Sequence, residues 1–132
     1  MPAPRFVHLR LHSEYSITDG LTRVDDAIRA AAADGMPALA LTDLGNLFGM
    51  VKFYTAARGA GVKPVVGVDV WVAAGDGVER DPPSRLLLLA KNRAGYLRLC
   101  ELLSAAQLTP RRHGRAEITP AMFAAGDNGG LI

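Results

Sequence analysis

The pattern that opens this chain is an alternation. Between Phe6 and His12, the aliphatics Val7, Leu9 and Leu11 take every second place, and His8, Arg10 and His12 take the others. Successive side chains of a β-strand point to opposite faces. The spacing therefore predicts a strand over 6–12 with an apolar back for a core and a basic front for a cavity or solvent. Farther on the period becomes helical. Val24, Ala27, Ile28 and Ala31 recur at i, i+3, i+4 and i+7. Thr22 stands as an N-cap, Asp25 in a capping-box position three residues on, and Gly35 as the stop.

Ala38–Leu41, after Pro37, predicts a short strand that leaves through the turn Asp43-Leu44-Gly45-Asn46. A second helix is expected over 47–58, ended by Gly59 and Gly61. The β-branched run Val65–Val72 predicts a strand, and the Gly, Pro and charges of 74–84 predict a loop or hairpin connection. Leu86–Ala90 is continuously apolar, as in a strand covered on both faces. Asn92 is placed to cap a third helix with the stripe Tyr96, Leu99, Leu103 and Ala106. Residues 108–116 read as a basic loop, and Thr119-Pro120 opens a short helix to about Ala125. This order implies an α/β architecture with largely parallel strands. Leu131-Ile132, after Asp127-Asn128-Gly129-Gly130, reads as the start of one more strand. The expectation is one incomplete domain over 1–132 of a longer protein.

Composition narrows the class. A length of 132 residues that is 49% hydrophobic supports a core and excludes a disordered chain. The net charge is +2, and the cluster Arg111, Arg112 and Arg115 accounts for it, so there is no chain-wide nucleic-acid footprint. A single cysteine, Cys100, excludes a disulfide framework and fits a reducing compartment. No apolar run has membrane-spanning length, and Arg5, His8, Arg10 and His12 break up any signal-peptide core. A cytoplasmic domain with no membrane partner is expected.

Candidate chemistry gathers at the predicted strand ends, where α/β folds bind ligands. His12 is followed by Asp19, and the next strands end near Asp43 and Asp69. Histidines and carboxylates from several strand ends are what a hydrolytic metal site needs. Arginine at position 10 breaks that pattern. His8 reads as structural, His12 as pocket-lining or structural, and His113 as solvated among arginines. Asp43 either satisfies turn donors or joins a site. Asp69, inside a β-branched strand, must be paired or face a cavity. Cys100 reads as core and the arginine cluster as a solvated loop. No P-loop, GxGxxG or GxSxG occurs.

These residues carry a resemblance. Phe6 through Ser16 with Asp19-Gly20, Gly35 through Asp43, Gly45 through Gly49, Val51 through Tyr54, Gly61 through Gly67, and Leu88 through Asn92 with Gly95-Tyr96 together resemble the opening of bacterial DNA polymerase III alpha subunits. That region is their PHP (polymerase and histidinol phosphatase) domain. The resemblance implies part of a PHP-type (β/α)7 barrel, truncated here. Metal-competent members of the family hold a cluster of divalent ions at the strand ends and hydrolyse phosphoesters. The family's His-x-His motif falls on Arg10 and His12, its next acidic ligand on Asp19, and its Thr-Asp-His motif on Thr42-Asp43-Leu44. A glutamate ligand falls on Asp69 and a further histidine on Arg85. Arginine stays protonated and Leu44 has no donor atom, so neither can bind a metal.

The implied cavity of Arg10, His12, Asp19, Asp43, Leu44, Asp69 and Arg85 is therefore a degenerate metal site, with no catalytic residue, metal or cofactor in this chain. Arg10 is expected to pair with Asp19 or Asp69. The implied role is a scaffold on which the proofreading exonuclease subunit docks, among other replicase subunits. The parent would synthesise DNA from deoxynucleoside triphosphates with Mg²⁺ and reach DNA through its polymerase domains. The alternative is an active metal-dependent phosphoesterase or 3′–5′ exonuclease of the same family.

Overall fold

Alternation along one long strand organises the molecule. The computed structural model describes residues 6–74, 82–109 and 114–132. Helix α1 (Val24–Ala33) leads into strand β1 (Ala38–Leu41), and helix α2 (Met50–Gly59) carries the chain over to strand β2 (Lys63–Val72), which pairs with β1 in parallel. Strand β3 (Ser84–Leu89) returns antiparallel to β2, in register from Gly67↔Leu89 to Val72↔Ser84. Helix α3 (Arg93–Leu108), the two-residue strand β4 (Glu117–Ile118) and helix α4 (Pro120–Ala124) follow, with β4 parallel to the end of β2. Among the described residues the sheet runs β1-β2-β3 with β4 on β2, and it does not close into a barrel.

On β2 the even positions Val66, Val68, Val70 and Val72 join the apolar clusters, while Asp69 and Trp71 belong to the opposite face. Val68 and Val70 pack with Leu88, Leu99, Leu102, Ala106 and Ile118. A second cluster seats Val24, Ile28 and Ala31 of α1 and Met50, Phe53 and Ala57 of α2 on Leu39 and Leu41 of β1. The helices thus cover one side of the sheet, and Asp69 is left on the other.

Several expectations hold and others need correction. The strand Ala38–Leu41 is as predicted, Gly35 ends α1 with a left-handed φ of 72°, and the Asn92 and Thr119 side chains accept from Gly95 N–H and Met122 N–H as caps. Thr22 does not cap α1. The cap position is Arg23, without a side-chain bond, and the Thr22 carbonyl instead accepts from Glu14 N–H to close the 13–22 loop. The largely parallel sheet is mixed, because the link between β2 and β3 is too short for a crossover helix. Nor is β3 covered on both faces, since only Leu88 is buried.

Residues 6–12 form an extended segment rather than a regular strand. Ala40 N–H donates to the His8 carbonyl and Thr42 N–H to the Leu11 carbonyl, but Leu11 N–H goes to the Thr42 hydroxyl, which interrupts the ladder. Val7 and Leu11 are half-buried while Leu9 is 48% exposed. The buried face of α3 is Gly95, Arg98, Leu99, Leu102 and Ala106, so Leu99 and Ala106 of the predicted stripe hold, Leu103 is partly buried against the core, and Tyr96 is exposed. The rotation of α3 is set at Gly95, where a Cβ would collide with the Gly130 carbonyl. Beside it Leu89 and Ile132 exchange backbone hydrogen bonds at 2.8 and 2.9 Å, in line with the expected strand start at Leu131-Ile132. Of the basic loop, Arg111, Arg112 and His113 lie outside the described residues, and its neighbours Glu117 and Ile118 form β4.

Candidate functional site

The helix-free side of the sheet carries a knot of charge centred on one oxygen. Asp69 is fully buried, and its Oδ2 accepts from Arg10 Nε at 2.9 Å, Arg10 Nη2 at 2.6 Å and Arg85 Nη2 at 3.1 Å. His12 Nε2 stands 2.9 Å from the same oxygen. The carboxylate's other oxygen, Oδ1, is buried without a hydrogen-bond partner. Burial alone would push the Asp69 carboxyl up. Donation from Arg85, Arg10 and His12, with the Arg85 charge, outweighs it and holds the group below the ordinary aspartate value.

Each partner is delivered by a different stretch of chain. Arg10 and His12 share one side of the extended 6–12 segment, as the alternation predicts. Asp19 comes from the loop after a single 3-10 turn at Glu14–Ser16 and meets His12 Nδ1 at 2.9 Å. The imidazole therefore lies between two carboxylates, and both contacts are satisfied together only by a proton on each ring nitrogen. Arg85, on β3 across from Trp71, reaches diagonally to Asp69 and lies 3.9 Å from Asp19 Oδ2. Its guanidinium sits 4.7 Å from the Trp71 ring centre, and that of Arg115 sits 5.1 Å from it.

Asp43 is not part of this knot. It is buried and accepts from Ser13 N–H at 2.6 Å, Ser13 Oγ at 2.8 Å and Ser16 Oγ at 2.8 Å. Of the two readings open to it, satisfying turn donors is the one realised, though the donors come from the 13–16 turn and not from Gly45 or Asn46. Asp43 thereby fixes the turn that sets His12 and Asp19. Leu44 forms a backbone bridge beside Asp69, its N–H donates to Ser16 Oγ, and its side chain brings no donor. Gly20 closes the same loop, where a Cβ would strike the Ser13 carbonyl. His8 stays apart, exposed and edge-on to Phe6 with ring centres 4.6 Å apart.

Of the candidate residues, Arg10, His12, Asp19, Asp69 and Arg85 are brought together. Trp71 was missed, although it lies two places from Asp69 and period two already put it on the same face, and Arg115, read as part of a solvated loop, is half-buried over the Trp71 ring. Among the described residues no group of three or more His, Cys, Asp or Glu side chains is arranged to hold a metal ion. His12 turns opposite ring edges to Asp19 and Asp69, so these three do not converge on one point.

A family model for the PHP domain matches residues 8–132, nearly the whole chain. The chain belongs to the PHP-domain family. This PHP domain is 47% identical over 133 residues to the DNA polymerase III subunit alpha of Neisseria meningitidis, covering 100% of this chain and 12% of that one. It is 51% identical over 106 residues to the same subunit of Escherichia coli K12, covering 80% of this chain and 9% of that one. The domain thus spans about a tenth of these relatives' length. Among solved structures it resembles an amidohydrolase from Chromobacterium violaceum, described with bound sulfate and no metal, at a TM-score of 0.58 and 27% identity. That match covers 76% of this chain and 33% of the other. No helix among the described residues is long and apolar enough to cross a membrane.

Proposed function

We propose that this PHP domain is part of a replicative DNA polymerase alpha subunit and serves there as a metal-free scaffold and docking surface. The parent would extend primers from deoxynucleoside triphosphates with Mg²⁺ in the cytoplasm. The proofreading exonuclease subunit would dock on the domain, among other replicase subunits. Identity of 47–51% to DNA polymerase III alpha subunits supports the parent. One observation carries the scaffold reading: Asp69 Oδ2 is already taken by Arg10, Arg85 and His12.

The residues present do not fit a resident metal cluster. Two guanidinium groups already occupy the carboxylate that a cation would need, and their positive charge opposes a divalent ion beside it. Leu44 adds no ligand. The side chains have a different task. Arg10 and Arg85 neutralise Asp69, His12 ties Asp69 to Asp19, and Trp71 braces Arg85.

The test is metal content together with partner retention. After mild purification, elemental analysis of the full chain should find no stoichiometric Zn²⁺ or Mn²⁺. The chain should cleave no phosphodiester above a His12→Ala control, and it should co-elute with the proofreading subunit. Stoichiometric metal and cleavage that both vanish in His12→Ala would overturn the scaffold reading in favour of an active phosphoesterase or 3′–5′ exonuclease.

A further inference from the structure

A second feature shares no residue with the Asp69 knot. Between α2 and α3, over the start of β2 and the end of β3, lies a half-open groove of about 620 Å³. Its walls are apolar, with Val51 and Tyr54 on α2, Val66 on the floor and Tyr96 on α3. Val51 is 76% exposed and Tyr54 43%. Surface helices normally turn such residues inward, so their collection along one groove calls for an occupant.

The charge around the groove is of one sign. Lys63, Lys91 and Arg93 all line it, and no lining residue is acidic. Among the described residues five Lys or Arg side chains are in no ion pair, and three of the five, Lys63, Lys91 and Arg93, line this groove, the other two being Arg23 and Arg58. Unpaired cations beside an apolar trough select a ligand with aliphatic anchors and negative flanks. Nucleic acid fits less well. Its bases favour stacking on aromatic platforms along a denser basic track, and here the floor is aliphatic and each wall carries a single tyrosine, Tyr54 or Tyr96.

We propose that this groove is the seat of an acidic, aliphatic-rich segment of a partner protein. The segment's leucine-type side chains fill the trough between Val51 and Tyr96, and its carboxylates meet Lys63, Lys91 and Arg93. The inference rests on the docking role proposed above and gives that role a place and a partner chemistry.

The test measures binding of a fluorescent peptide alternating glutamate and leucine to the full chain, by anisotropy, with a lysine–leucine peptide and a thymidine oligonucleotide as controls. The acidic peptide should bind and the basic one should not. Val51→Glu, at an exposed position, and the triple change of Lys63, Lys91 and Arg93 to Glu should each weaken binding at least about tenfold. The triple variant should gain the basic peptide, a swap that a merely unfolded variant cannot produce. Equal binding of both peptides, indifference to the substitutions, or preferential binding of the oligonucleotide would overturn the proposal. Co-elution separates its failure from that of the docking role. If the wild-type chain retains the proofreading subunit and Val51→Glu retains it equally, docking stands and this groove is not its seat. If the wild-type chain itself fails to retain that subunit, the docking role falls.

Discussion

Replacing Arg10 with alanine probes the charge knot at one defined point. The side chain donates from Nε and Nη2 to the single oxygen Asp69 Oδ2. Asp69 is fully buried, but the Arg10 side chain is 54% exposed. Breaking a buried pair costs about 3–5 kcal/mol and an exposed one about 0–1. Here one partner stands half in water, and Arg85 and His12 stay on the oxygen after Arg10 is gone. The expected loss is therefore about 1–2 kcal/mol. Asp69→Asn removes the charge all three groups share and should cost more, about 3 kcal/mol. With that charge already absent, adding Arg10→Ala should cost under about 0.5 kcal/mol, the mark of direct coupling.

Urea denaturation of the four chains of this cycle near pH 7 measures these terms, and a pH series fixes their origin. The folded-state carboxyl of Asp69 is held below its ordinary 3.8. Its contribution to stability is therefore complete above that value and is lost as the pH falls through the lower folded value. The stability gap between wild type and Asp69→Asn should narrow across that acid range. An unchanged urea midpoint for Arg10→Ala, or a gap that widens on acidification, would refute the reasoning.

Three other outcomes are expected. Asp43→Ala leaves Ser13 N–H and the Ser13 and Ser16 hydroxyls without their acceptor, so it should cost about 3 kcal/mol and speed hydrogen exchange at the Ser13 amide; unchanged exchange would count against this anchor. Gly95→Ala forces a Cβ against the Gly130 carbonyl and should lower stability by about 1–3 kcal/mol, read as a drop in Tm, and an unshifted Tm would disprove the close approach. Arg10→His should not confer stoichiometric zinc, because Leu44 still supplies no donor and Arg85 still occupies Asp69, and elemental analysis finding one bound zinc per chain would contradict it.

What was legible in the sequence was what local chemistry decides. β1 and the Asn92 and Thr119 caps rest on residues within a few places of each other, and they are found as read. Asp69 announced itself because a carboxylate in a β-branched strand needs a partner, and the alternation over 6–12 brought Arg10 and His12 to the same side. Features set by distant contacts were not legible. Thr22 looked like a cap, but loop closure to Glu14 took its carbonyl. Asp43 had two open readings until Ser13 and Ser16 came to it from about thirty residues away. β4 is two residues long and exists only because the end of β2 offers it a ladder. Nor was it legible that both Arg10 donors would go to one oxygen shared with Arg85 and His12, leaving Asp69 Oδ1 without a partner.

That convergence bears on what the site can be used for. A divalent ion held by carboxylates exchanges with solvent, so a site that relies on it changes with metal supply. Arg10 and Arg85 are tethered to the backbone and carry their charge on the side chain itself. The negative charge of Asp69 is thus balanced by groups that cannot leave. His12 links it to Asp19, and Asp43 fixes the intervening turn through Ser13 and Ser16. The loop from 13 to 22 is pinned by the Asp43 and His12 side chains and closed by the backbone bond from Glu14 N–H to the Thr22 carbonyl. A domain whose task is to present a constant surface to other proteins gains from this arrangement, whereas one whose task is hydrolysis would lose its reagent.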